Sequence, residues 1–343
     1  MRVLVTGATG FTGSHSARTL LEAGHEVRTL VRSRQKLEKT FGPESPLCKN
    51  AVVGDVTNQS DVDEALEGCD AVLHAAAMVD LRQSMAERVL QTNRLGVENV
   101  IGGAAARGFR SIVYVSSLAA FFDPEARNAA PLSPEGAMAP TSSAYGQSKI
   151  DSEKYIRRLQ EEGVPIRASY PVGILGPDDP GLSEANHAIK AWLGQQPVTT
   201  SSGLQILDVR DLATLHLHLL EGPSEACRYV AAGAFIPWKE MGPLLSSLTQ
   251  RPVRPLHIPG PAFRLIGRIG DAIKKVWDFD YPITYEAMCF ATLWPGADAS
   301  GTERDLGMKF RPKEETLRDT IHWLWKAGHL PAKIAGRLAD DRP

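Results

Sequence analysis

Apolar residues come in short runs, separated by stretches whose apolar positions repeat with helical spacing. "RVLVTG" (2–7), "EVRTLV" (26–31), "AVVGD" (51–55), "DAVLHAA" (70–76) and "SIVYVSS" (111–117) are nearly continuous in apolar character. That is the mark of strands buried on both faces. Between them, 11–23 (stopped by Gly24), 60–67 and 82–107 carry helical patterns. Strand and helix alternating in this way predict an α/β fold with a doubly wound parallel sheet covered by helices on both sides.

Beyond residue 117 the pattern changes. "DPEARNAAPLSPEGAMAPTSS" (123–143) has no period and reads as a long surface loop. A helix is expected from Ala144 and a strand over 165–170, and after "GILGPDDPG" (173–181) the alternation breaks down. "QILDVRDLATLHLHLLEG" (205–222) reads as a strand and helix rejoining the first unit. The expected organisation is a first domain over 1–172 with 203–224 returning to it, and a smaller C-terminal lobe from 173–202 and 225–330. A tail, 331–343, ends in a "LADDRP" that is expected to fray.

Composition narrows the function classes. The formal net charge is −2, which argues against a general surface for nucleic acid or anionic lipid. No run approaches the roughly 18–20 apolar residues of a transmembrane helix, and the first strand begins at once, leaving no room for a signal peptide. Cys48, Cys69, Cys227 and Cys289 are scattered without metal-site or disulfide-framework spacing, as expected of reduced thiols in a cytoplasmic protein.

"VLVTGATGFTGSH" places Gly7, Gly10 and Gly13 between a strand and a helix. Such a turn brings backbone close to a pyrophosphate and seats it at the helix N-terminus. Gly7, Thr9, Gly10, Phe11, Thr12 and Gly13 are therefore the expected cofactor contacts of a Rossmann-type domain. No Gly-Lys-Ser/Thr follows, which argues against an ATP-type loop. Arg32 lies nineteen residues after Gly13, where NAD binders place an acid for the ribose 2′-hydroxyl. With Ser33, Arg34 and Lys36 close behind, this basic cluster predicts a 2′-phosphate, hence NADP (NADPH) rather than NAD, with a solvated strand-to-helix turn as the other reading.

"SAYGQSKIDSEKY" (143–155) puts Tyr145 and Lys149 one helical turn apart on one face. The pair suits proton transfer, with the ammonium expected to lower the tyrosine pKa from about 10. His216 and His218 lie two apart on a helix, so on different faces, and are not expected to bind metal.

The glycine turn, "GDVTNQSDVDEALEGCDAVLHAAA" (54–77), "TNRLGVENVIGGAAARGFRSIVYVSS" (92–117) and "ERDLGMKFRPKEETLRDTIHWL" (303–324) together resemble the extended short-chain dehydrogenase/reductase family. Within it, they look most like the dihydroflavonol reductase and 3β-hydroxysteroid dehydrogenase branch. The resemblance implies catalytic roles for Ser117, Tyr145 and Lys149, with Ser116 as the neighbouring alternative and Asn93 organising the site. It implies cofactor contacts at Asp55, Val56, Ala75, Ala76, Tyr145, Pro171 and Val172, with Lys149 also on the nicotinamide ribose. It also implies a homodimer built on the helices near 82–107 and 144–162.

For the substrate, Met78, Ser117, Phe121 and Phe122 are the expected contacts; Val79 lies near the same mouth and Trp192 is expected to be lobe core. "PAFRLIGRIGDAIKKVWDF" (261–279) reads as a lid helix, with a membrane-surface helix as the other reading. The leading expectation is an NADP(H)-dependent oxidoreductase moving a hydride between nicotinamide and a hydrophobic carbonyl/alcohol substrate. The alternatives are an NAD-dependent nucleotide-sugar epimerase/dehydratase and a non-catalytic dinucleotide sensor.

Overall fold

The structure, a computed structural model, describes residues 1–80, 82–126, 130–274 and 284–339. The N-terminal half alternates as the pattern of apolar runs requires: β1 (Arg2–Thr6), α1 (Phe11–Glu22), β2 (Glu26–Val31), α2 (Arg34–Phe41), α3 (Pro46–Lys49), β3 (Ala51–Val53), α4 (Gln59–Leu66), β4 (Ala71–His74), α5 (Ala86–Ala106), β5 (Ser111–Val115), α6 (Ala144–Glu161) and β6 (Ile166–Pro171). The lobe follows with β7 (Gly173–Leu175), α7 (Glu184–Gly194), β8 (Val198–Thr199), β9 (Gly203–Asp208), α8 (Val209–Glu221), β10 (Cys227–Ala231), β11 (Phe235–Pro237), α9 (Trp238–Thr249), β12 (Leu256–His257), α10 (Gly260–Lys274) and α11 (Tyr285–Leu293). It closes with α12 (Ser300–Leu306), α13 (Lys313–Lys326) and α14 (Ala332–Ala335).

The main sheet runs β10-β6-β5-β4-β1-β2-β3, and all its pairings are parallel. Alternate residues of each strand feed opposite cores. Val3 and Val5 pack with α1 and α8 through Leu20, Leu212 and Leu215, while Leu4 joins Val72, Ile112 and the α5 residues Val97 and Ile101 on the other side. Because both faces are buried, both sets of positions are apolar, which is why the strands read as continuous runs. Strand order reverses between β1 and β4, creating the crevice where doubly wound sheets bind ligands.

Two sequence expectations need correction. β10 lies within the segment assigned to the lobe, yet it pairs with β6 as the outer strand of the main sheet. Conversely, only the helix of 205–222 returns to the first unit: α8 packs on the α1 side, whereas β9 pairs with β7 and β11 in a separate sheet. Sheet membership is decided by these long-range pairings, which no local pattern encodes. At the C-terminus, Leu338 is buried at 3 % exposure and its carbonyl oxygen is in hydrogen-bond contact with His322 Nδ1, so the tail does not fray there. The rest of the expected fraying, from 340 on, lies outside the described residues. The described part of 123–143 contains neither helix nor strand, as expected, and is tied to the lobe by a bridge between Leu132 and Ala297.

Candidate active site

β1 delivers the chain into Gly7 at φ 76°, a left-handed conformation that favours glycine. A Cβ there would sit 2.8 Å from the Ala75 carbonyl carbon, so the turn lies directly against the end of β4. A Cβ on Gly13 would overlap the Gly7 carbonyl oxygen, which brings helix and turn into contact. Gly10 donates its N–H to that same oxygen at 2.8 Å. It also caps α1 without a side chain, and the first turn of α1 holds no acid. The free N–H groups at this helix end therefore face a site receptive to an anion. The Gly7 cradle and the uncapped helix start fit a dinucleotide pyrophosphate, and Thr9, Phe11 and Thr12 form the half-exposed rim beside it.

Thr6 stitches the two strands at the crevice. Its hydroxyl is 2.8 Å from His74 Nδ1 and accepts the Ala76 N–H at 3.3 Å, which fixes Ala75 and Ala76 beside the glycine turn. Burial pushes the His74 imidazole down to about 3, keeping it neutral. Asp55 is turned inward onto its own loop, accepting from Thr57 N and Oγ1 at 2.9 Å, and Val56 Cγ2 packs over Gly96. Pro171 ends β6, and Val172 donates its N–H to Ala231 of β10 at 3.2 Å.

The basic cluster after β2 serves the helix it opens. The Ser33 hydroxyl caps α2 by accepting the Lys36 N–H, and the Arg34 guanidinium is paired with Glu38 one turn on at 3.1 Å. Arg32 and Lys36 are exposed. Ser-Arg-Gln-Lys-Leu-Glu is legible as a cap followed by an i,i+4 pair.

Tyr145 and Lys149 do share one face of α6. Ser143 caps this helix by accepting the Gly146 N–H. Ser117, just beyond β5, lies beside the Tyr145 phenol, and Lys149 Nζ lies 5.8 Å from the Tyr145 ring centre. The expected depression of the tyrosine pKa is not what this arrangement produces. Burial outweighs the opposing influence of Ser117 and pushes Tyr145 up to about 12. Burial also brings Lys149 down to about 8, against the pull of Glu153. Lys149 donates to the Val115 carbonyl oxygen at 3.1 Å. Ser116, the alternative serine, points away from this group and donates to Glu153.

Asn93 is a strut. Its amide accepts the Met78 N–H at 2.7 Å and donates to Met78 O and to Ser148 Oγ, tying the loop after β4 to α6. Met78 is thereby fixed through its backbone. Phe121, expected against substrate, is only 5 % exposed and packs edge-on to Tyr170 with Arg157 over its ring, in the core beneath the site. Phe122 stacks on Phe290 at 4.3 Å between ring centres and lines a cavity of about 280 Å³ with Thr141, Ser142 and Tyr285. Trp192 stacks on Trp238 in the lobe core, as expected, and Val79 is exposed.

His216 bridges Ser16 of α1 and Ser169 of β6 through its two ring nitrogens. α10 exposes Leu265, Ile266, Ile269 and Ile273; residues 275–279 of the proposed lid or surface helix lie outside the described residues. No helix among the described residues is long and apolar enough to cross a membrane.

Two carboxylates were not anticipated. Glu153, one turn beyond Lys149 and fully buried, accepts from Tyr170 Oη, Ser116 Oγ and Arg157 Nε. Its spacing from Lys149 was a visible signal. Glu286, on α11, accepts from residues 141–143, and nothing local in the sequence pairs positions so far apart.

Comparison with known proteins agrees with this frame. The family model described as the NAD dependent epimerase/dehydratase family matches residues 3–231. Cinnamoyl-CoA reductase 1 of Petunia hybrida is 26 % identical over 345 residues, covering 96 % of this chain and 93 % of its own. The crystal structure of gox2253 superposes with a TM-score of 0.79 at 25 % identity, covering 96 % of this chain and 99 % of that one. The Bordetella bronchiseptica enzyme WbmH, solved in complex with NAD⁺, gives a TM-score of 0.71 at 21 % identity over 95 % of this chain and 99 % of that one.

These findings overturn the expectation of NADP(H) and with it the leading reading of an NADP(H)-dependent reductase. The matched family is NAD dependent, and UDP-glucose 4-epimerases among the solved relatives likewise hold NAD. On the chain itself, Ser33 caps α2 and Arg34 pairs with Glu38 inside that helix, while Arg32 and Lys36 stay exposed. The chain belongs to the NAD dependent epimerase/dehydratase family.

Proposed function

We propose that this protein is an NAD(H)-dependent oxidoreductase of the epimerase/dehydratase kind, acting at a hydroxyl-bearing carbon of a small organic substrate. The observation that carries this reading is the convergence of the Gly7–Gly13 turn and the Ser117–Tyr145–Lys149 group at one edge of one parallel sheet. NAD, when bound, supplies a nicotinamide carbon that accepts or returns a hydride. The glycine turn and the open start of α1 would hold its pyrophosphate. Tyr145, protonated across the neutral range, holds the proton to be exchanged with the substrate oxygen, and Ser117 orients both oxygens by hydrogen bonding. Lys149, anchored to Val115 O, places a positive charge beside the phenol as negative charge develops there.

WbmH and the UDP-glucose 4-epimerase of Bifidobacterium longum, both solved with NAD⁺, support the choice of NAD. The near full-length likeness to cinnamoyl-CoA reductase supports kinship with the reductase branches of the family, and the proposal does not depend on it. The test has two arms. Calorimetric titration with NAD⁺ and NADP⁺ should give tighter binding of NAD⁺. A panel of UDP-hexoses and simple secondary alcohols, followed at 340 nm and by product NMR, should reveal oxidation or epimerisation that Tyr145→Phe lowers by about 10²-fold or more. Selective binding of NADP⁺, or full turnover in Tyr145→Phe, would sink the reading.

A further inference from the structure

The Glu286 carboxylate, on the first turn of α11, takes five hydrogen bonds from three consecutive residues. They come from Thr141 Oγ1 (2.8 Å), Ser142 N (2.9 Å) and Oγ (2.7 Å), and Ser143 N (2.9 Å) and Oγ (2.8 Å). Ser143 is the N-cap of α6, and Tyr145 is the second residue of that helix. The carboxylate therefore lies at the start of the catalytic helix, where the dipole favours negative charge. Burial would raise its pKa, but the hydrogen bonds from Ser142, Thr141 and Ser143 outweigh this and hold it low, so the clamp is charged.

The grip reaches the residue beside Tyr145. A Cβ on Gly146 would overlap Thr141 Oγ1 and lie 2.9 Å from Ser143 Oγ, so the clamped segment is folded tightly against that position. α11 also braces the opposite side of the site. Phe290, one turn on from Glu286, stacks on Phe122, which ends the short turn that Ser117 caps. α11 is itself anchored, since the Tyr285 N–H donates to Asp271 on α10 at 3.0 Å. One lobe helix thus fixes the segment after Ser117 and the segment before Tyr145.

We infer that Glu286 is a positioning residue for Tyr145: by clamping residues 141–143 it sets the start of α6 and holds the phenol in its desolvated place against Ser117. The inference rests on the proposed role of Tyr145, and it makes the lobe part of the proton-transfer machinery.

The test reads the phenol directly, without a substrate. In full-length protein carrying ¹³Cζ-tyrosine, the Tyr145 resonance, assigned by its loss in Tyr145→Phe, is titrated in wild type, Glu286→Gln and Thr141→Val. Glu286→Gln should move the Tyr145 titration down by at least about 0.5 unit toward the solvated value near 10. Thr141→Val, which removes one donor and keeps the packing against Gly146, should shift it less and in the same direction. Tyr229 and the NAD⁺ dissociation constant should stay unchanged. An unmoved Tyr145 in both variants overturns the inference, as does a shift shared equally by Tyr229 with loss of NAD⁺ binding. Should Glu286→Gln fail to fold, Thr141→Val decides alone. Full turnover in Tyr145→Phe would instead refute the proposed function and leave the clamp measurement standing.

Discussion

Lys149 donates its ammonium proton to the Val115 carbonyl oxygen, at 3.1 Å, and reaches Tyr145 across the ring, 5.8 Å from its centre. The bond to the last residue of β5 fixes the charge relative to the sheet, so Tyr145 and Ser117 meet in front of an immobile cation. The tyrosine is tuned by its burial and by Ser117 more than by contact with the lysine.

Replacing the phenol should therefore separate chemistry from binding. Tyr145→Phe is expected to lower turnover by about 10²–10⁴-fold, while NAD⁺ affinity, set by the glycine turn on β1, stays unchanged. Pre-steady-state measurement of the 340 nm signal, alongside titration of NAD⁺, checks both halves.

The pH dependence of stability follows from two buried histidines. His74 and His216 are held neutral by burial, each at about 3, whereas an unfolded histidine binds its proton near 6.5. Below 6.5 the unfolded chain binds more protons, so stability is full above that pH and is lost as the pH falls toward 3. Each site contributes at most about 5 kcal/mol of this loss. His216→Gln should flatten the decline in denaturant midpoint between pH 6.5 and 4; an unchanged slope would show that His216 is not the titrating group.

Lys149 acts in the opposite pH range. Its pKa of about 8 lies below the 10.5 of an exposed lysine, so the unfolded state holds the extra proton between these values and stability rises with pH across them. The span corresponds to about 3 kcal/mol. Lys149→Met should be more stable than wild type at pH 7, with that advantage shrinking by pH 10, as read from urea unfolding.

Gly7 is the position least open to change. Its φ of 76° and the 2.8 Å approach of a Cβ to Ala75 mean that Gly7→Ala meets backbone strain and overlap together. A loss of about 2–3 kcal/mol in stability and at least ~10-fold in NAD⁺ affinity is expected, measured by thermal unfolding and calorimetry.

The cluster after β2 gives a fifth contrast. Ser33→Ala should cost about 1 kcal/mol of stability through loss of the α2 cap and leave the preference for NAD⁺ over NADP⁺ intact. A switch in cofactor preference would restore the 2′-phosphate role to this cluster.

Much of this molecule is written locally. The apolar runs at β1, β2, β4 and β5 declare a sheet buried on both faces, because each strand supplies apolar residues to both cores. The Gly7-Gly10-Gly13 spacing and the turn between Tyr145 and Lys149 are equally local, since a tight turn and a helical repeat depend only on near neighbours. What the tertiary structure alone decided are relations between distant segments. β10 joins β6 across 55 residues or more, Phe121 is covered by Tyr170, and Glu286 reaches back to residues 141–143. The meaning of Arg34 also changed once its partner was seen: a guanidinium placed for a phosphate by spacing is held by Glu38 on its own helix. Spacing along the chain fixes which side chains can share a face; burial and long-range hydrogen bonding decide which of them are free to meet a ligand.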